Sequence, residues 1–83
     1  MAVVVETTPN PRAMKFTVGV PVGGPATYVD AASADDSVAP IMNIAGVVSV
    51  FMTGDFVTVT RTEGSSWDSI VDPVVEILNA SFG

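Results

Sequence analysis

Val47-Val48-Ser49-Val50-Phe51-Met52-Thr53-Gly54-Asp55-Phe56-Val57-Thr58-Val59-Thr60-Arg61 is the stretch that decides how this chain folds. Its two halves are rich in Val, Phe and Thr, residues that suit a pleated and half-buried surface. Thr53-Gly54-Asp55 separates them, and Gly54 supplies the positive φ that a short hairpin turn needs. The reading is a β-hairpin. Alternation puts Val48, Val50 and Met52 on one face of its first strand, with Ser49 and Phe51 on the other. On the second strand Val57 and Val59 share a face, opposite Phe56, Thr58 and Thr60. The valine faces are expected beneath helices, and Phe51 and Phe56 on an open face.

Towards the N-terminus, residues 3–8 predict a first strand. In Thr8-Pro9-Asn10-Pro11-Arg12 two prolines fix φ and withhold two N–H donors, which makes a stiff turn. Residues 14–18 alternate and read as a second strand ending near Val20, with Met14, Phe16 and Val18 inward and Lys15 and Thr17 outward. Pro21-Val22-Gly23-Gly24-Pro25 is a loop, and residues 27–30 are an optional edge strand. A first helix is expected over residues 37–45, capped by Ser37 or Asp36, with Pro40 in its first turn and Gly46 as its C′ residue.

Beyond the hairpin, Trp67, Ile70, Val71, Val74, Ile77 and Leu78 follow helical spacing over residues 66–81, with Ser66 as cap. Pro73 interrupts that helix. Either the helix kinks there, or Asp72-Pro73 starts a new one; the apolar stripe, in phase through Pro73, favours a single kinked helix. The expected fold is α+β: a two-layer sandwich of about four mostly antiparallel strands with two helices on one face, in the order ββαββα. Residues 1–83 form one domain.

Composition narrows the function. Zero cysteine means no disulfide, and a hydrophobic content of 48% argues against disorder. Lys+Arg of 3 against Asp+Glu of 9 gives a net charge of −6. That disfavours nucleic acid and anionic membrane surfaces as partners. The apolar runs are too short to span a bilayer. Met1-Ala2-Val3-Val4-Val5-Glu6 lacks the basic start and apolar core of a signal peptide, so the expected location is the cytoplasm.

No catalytic, cofactor-binding or metal-binding residue is assigned. With no His and no Cys, the ordinary ligands of iron and zinc and the ordinary base of a Ser nucleophile are missing. Asp30, Asp35 and Asp36 read as helix capping and a solvated acidic edge. Gly23-Gly24 is too short and lacks the basic residue of a phosphate loop. The candidate partner-binding residues are Asn10, exposed between two prolines, and Arg12 and Lys15, basic residues in an acidic chain. Phe51 and Phe56 join them as an exposed apolar patch. Trp67 reads as a core anchor at the helix start.

Three stretches together resemble the N-terminal domain of the Nfu/NifU-like iron–sulfur cluster scaffold family. Thr8-Pro9-Asn10-Pro11-Arg12-Ala13-Met14-Lys15-Phe16 is similar to its T-P-N-P-x-x-x-K-F signature. Residues 37–47 are similar to its S-P-L-A-x-x-L-F-x-I-x-G-V helix, with Val38-Ala39-Pro40 in place of Pro-Leu-Ala. Residues 49–61 are similar to its S-V-F-F-x-x-D-F-I-T-V-T-K hairpin, and Trp67 with Pro73 to its W…P helix. Scaffolds of that family hold the cluster on C-x-x-C thiolates of a separate C-terminal domain. The resemblance therefore implies the accessory half of a scaffold: a non-enzymatic module that contacts iron–sulfur assembly or client proteins without holding a cluster. The alternatives are a regulatory domain binding a small ligand beside the sheet, and an enzyme using carboxylates.

Overall fold

In the computed structural model, which describes residues 3–82, the hairpin stretch forms strands β4 (Val47–Thr53) and β5 (Phe56–Arg61). Gly54 takes φ 57° between them. Before the hairpin come β1 (Val4–Thr7), β2 (Ala13–Thr17), β3 (Ala26–Tyr28) and a single helical turn, α1 (Ala39–Met42). A short 3-10 helix (Trp67–Ser69) and α2 (Val71–Phe82) follow it. All pairings are antiparallel, and the five strands lie in the order β1-β2-β5-β4-β3. The α+β class stands. The sheet has five strands rather than about four, because the optional edge strand forms and pairs Thr27 with Phe51. Met1, Ala2 and Gly83, the ends of the single domain expected over residues 1–83, lie outside the described residues.

The strands bury one face. Phe16, Val50, Val57 and Val59 are fully buried, and Ile41 of α1 and Ile70, Val74 and Leu78 around α2 pack on them. Each such side chain removes about 1.5–3 kcal/mol worth of apolar surface from water, and this burial drives folding. The loop after β2 crosses to the same side. The amides of Val18 and Gly19 bond the Asp55 carbonyl, that of Val22 bonds the Gly54 carbonyl, and Val18 and Val22 are buried. Among the described residues no second layer covers the other sheet face.

Three expectations are corrected. Val48 does not face the core. The register slips between Val47 and Ser49, a bulge that takes Val48 out of the alternation and leaves it 44% exposed. The first helix is one turn rather than residues 37–45. Asp35 takes the Ser37 amide and hydroxyl, so Ser37 is not a cap. After the one α-helical turn of Ala39–Met42 the chain continues through i→i−3 bonds (Asn43 to Pro40, Ile44 to Ile41, Val47 to Ile44), tight turns that replace further α-helix. The second helix does not kink at Pro73. It divides at Ile70 into the 3-10 helix and α2, and Pro73 falls in the first turn of α2, where its missing N–H has no intrahelical partner to lose. Ser66 does cap, its hydroxyl oxygen accepting from the Asp68 amide of the 3-10 helix at 3.2 Å.

Candidate functional site

The Thr8–Arg12 turn is built from its own side chains. The Asn10 Oδ1 accepts from the Arg12 amide at 3.0 Å, an Asx turn with Pro11 at its centre. Pro11 cannot compete for that oxygen because it has no N–H. The Thr8 hydroxyl accepts from the Asn10 amide, and its single proton is shared between the carbonyls of Asn10 and Ala13, 2.9 and 3.0 Å away. Asn10 and Arg12 are both exposed. The Asn10 carbonyl oxygen is thus used inside the turn. Its side-chain nitrogen Nδ2 and the Arg12 guanidinium bond nothing among the described residues.

Two residues far away in sequence hold this turn from below. The Trp67 indole N–H donates to the Pro11 carbonyl at 3.2 Å, and Arg61 Nη2 reaches the same oxygen at 3.4 Å. Arg61 Nη1 also donates to the carbonyls of Thr62 and Ser65 at 3.0 and 2.9 Å. The guanidinium carbon stands 5.6 Å from the Trp67 ring centroid, a cation–π contact. Backbone pairing continues the link, since the Arg61 amide donates to the Arg12 carbonyl at 2.8 Å. Arg61 Nε is buried with no partner among the described residues. Trp67 is therefore half-buried, packed against the core as the spacing suggested, and carries a polar task besides. Neither Arg61 nor Trp67 stood among the candidate residues. The signal was the indole itself, an apolar ring whose N–H needs an acceptor when covered.

Between the turn and the 3-10 helix lies an open cleft of about 290 Å³, lined by Thr7, Pro9, Asn10, Pro11, Met14 and Trp67 among others. The rings of Pro9, Pro11 and Trp67 share its walls with Met14 and the polar residues Thr7, Thr8 and Asn10, and no titratable group lines it.

The other candidates sit on the bare sheet face. Register places Lys15 beside Thr58 and Thr58 beside Phe51, with Thr17 beside Phe56 and Phe56 beside Thr53. Phe51, 36% exposed, and Phe56 lie diagonally, with ring centroids 6.4 Å apart and planes tilted by 56°. Lys15 Nζ stands 4.6 Å from the Phe56 centroid. The structure thus divides the five candidates. Asn10 and Arg12 share the turn, whereas Lys15 joins Phe51 and Phe56.

The acidic residues do local work. Asp30 Oδ1 accepts from the Ser33 amide and hydroxyl, both at 2.8 Å. Those hydrogen bonds, the hydroxyl's first, hold its carboxyl below the usual carboxylate value, and Ser37 does the same for Asp35. Among the described residues no three carboxylates gather into a metal-sized cluster.

Relatives carry the same domain. NifU-like protein 5, mitochondrial, of Arabidopsis thaliana is 35% identical over 82 residues, covering 94% of this chain and 30% of that protein. NifU-like protein 4, mitochondrial, of the same plant is 42% identical over 72 residues, covering 82% and 25%. A Drosophila virilis protein named NFU1 iron-sulfur cluster scaffold homolog, mitochondrial, is 31% identical over 83 residues, covering 94% and 28%. The chain thus spans less than a third of the length of these relatives. The crystal structure of protein SAV1430 from Staphylococcus aureus superposes with a TM-score of 0.78 at 26% identity, covering 93% of this chain and 98% of that one. Residues 3–83 match the family described as Scaffold protein Nfu/NifU N terminal, and the chain belongs to that family.

Proposed function

We propose that this chain is a non-enzymatic protein-interaction module of iron–sulfur cluster assembly, one that docks assembly or client proteins and does not itself hold a cluster. The observation that carries the reading is the Thr8–Arg12 turn. It is bonded internally and braced from Arg61 and Trp67, and it offers the Asn10 side-chain nitrogen and the Arg12 guanidinium outward. A rigid exposed loop loses little entropy when a partner seats on it. Phe51, Phe56 and Lys15 supply a second contact area on the bare sheet face. The absence of cysteine supports the accessory role, because iron–sulfur clusters are held by thiolates.

Affinity purification from the source cell, with mass spectrometry, tests this. The intact chain is expected to retain iron–sulfur assembly or client proteins, and an Asn10→Ala/Arg12→Ala variant to lose them. Recovery of none, or equal recovery by the variant, would overturn the reading. A tagged copy imaged in the cell checks the expected cytoplasmic location against the organelle named for the relatives.

A second reading, a regulatory domain binding a small ligand, has the Trp67 cleft in its favour. At about 290 Å³ that cleft lies at the lower limit of ordinary ligand sites. It has no charged lining group to fix a metabolite, which favours a protein side chain as its occupant.

A further inference from the structure

β1 is an edge strand. It pairs with β2 on one side, and among the described residues no further strand pairs with its outer side. All four of its residues are exposed, with Val4 at 52% and Val5 at 38%. β1 contains no Pro, no Lys and no bulge, and its one charged residue, Glu6, pairs in register with Lys15. A free edge of this kind offers alternate N–H and C=O groups to another strand. The opposite edge, β3, is shorter at three residues and follows directly on Pro25.

The cleft lies at the Thr7 end of that edge. Thr7 is both the last residue of β1 and part of the cleft wall, and its register partner Met14 is buried on the helix side of the sheet. A strand added about 4.8 Å beyond β1 would direct alternate side chains to the helix side, towards the space between Pro9 and Trp67. Charge defines the same end. Arg12 and Arg61, two of the three basic residues in a chain of net charge −6, are joined there through backbone. The Arg61 guanidinium is engaged with carbonyls, whereas that of Arg12 bonds nothing among the described residues. Glu6, the carboxylate on β1, stands across from Lys15 on the opposite sheet face and accepts from Thr17.

We propose that β1 receives an extended segment of a partner protein as a sixth strand, with an apolar side chain in the Trp67 cleft and an acidic residue beside Arg12. The proposal rests on the reading of the chain as an interaction module and names the surface and the chemistry of what docks. A second copy of this chain is the poorer occupant, since two chains of net charge −6 repel.

The test uses the full chain, labelled with nitrogen-15, and peptides selected on it from a phage library of random dodecamers. Selected peptides are expected to place an acidic residue next to an apolar one. The synthesised peptide should slow amide exchange of residues 4–7 at least tenfold and shift the Trp67 indole proton. Arg12→Glu, at an exposed position, should weaken that peptide by roughly tenfold, and exchanging the peptide's acid for Lys should restore it. Peptides that move only the Phe51 and Phe56 signals would overturn strand addition and leave the interaction reading intact. So would a failure to select any peptide while affinity purification still recovers partners. A concentration-dependent dimer with protected β1 amides and no peptide would overturn the choice of occupant.

Discussion

Replacing Trp67 by Phe removes one hydrogen-bond donor and keeps most of the ring, which isolates the brace under the Thr8–Arg12 turn. The lost bond from the indole to the Pro11 carbonyl, 3.2 Å long, is worth about 0.5–1.5 kcal/mol at a partly covered site. The Arg61 guanidinium, 5.6 Å from the ring, contributes about 0.5–1 kcal/mol against indole and less against phenyl. Together the variant is expected to lose about 1–2 kcal/mol. In a domain of this size each kcal/mol moves Tm by about 4–8 °C, so the expected fall is roughly 4–16 °C. Far-UV circular dichroism is the suitable assay, because the substitution removes the only Trp and with it the fluorescence reporter.

The brace has a local consequence as well. If the brace holds the turn, the amides of Arg12 and Ala13, which bond Asn10 Oδ1 and the Asn10 carbonyl, should exchange faster in Trp67→Phe while those of Val57 and Val59 slow or quicken only with global stability. A double-mutant cycle with Arg61→Met should give a coupling of about 0.5–1 kcal/mol, because both side chains act on one carbonyl and on each other. A loss below about 0.3 kcal/mol, an additive cycle, or unchanged exchange in the turn would refute the brace.

Other outcomes follow from the packing and the charges. Leu78 is fully buried, so Leu78→Ala should cost about 2–5 kcal/mol in urea unfolding, with an unchanged m-value. Gly24 has φ 90° and a Cβ built there would collide with the Met52 carbonyl oxygen. Gly24→Ala should therefore detach β3 from β4, at about 2 kcal/mol or more, seen as loss of the cross-strand contact between Thr27 and Phe51 by NMR. Ser33 and Ser37 lower the pKa values of Asp30 and Asp35 below their ordinary 3.8 in the folded chain. Their contribution is complete above that value and lost as pH falls through the lowered ones. The stability gap between the native chain and an Asp30→Asn/Asp35→Asn variant should accordingly narrow as urea midpoints are taken from pH 7 to pH 3.

What was legible in the sequence is what local rules encode. Alternation and Gly54 gave the hairpin and the inward set Val50, Met52, Val57 and Val59, all buried. The same alternation set Lys15 outward with Phe56, although their contact at 4.6 Å depends on β2 lying next to β5, which no local pattern states. Val48 was misplaced because a bulge adds one residue without any mark in composition. The first helix was drawn too long because its apolar spacing also suits a run of i→i−3 turns, and the choice between them lay with the Asp35 bonds to Ser37. The candidate site was half legible for the same reason. Asn10 and Arg12 stand out on local grounds, as polar residues beside prolines, whereas Trp67 bonds Pro11 across 56 positions and Arg61 does so across 50. The T-P-N-P turn, the end of the hairpin and the Trp before the second helix are separate in the chain, yet all three meet at one carbonyl oxygen. How firmly Asn10 and Arg12 are presented is therefore set from residues 61 and 67. Substitutions there are expected to weaken partner binding even though neither residue need touch the partner.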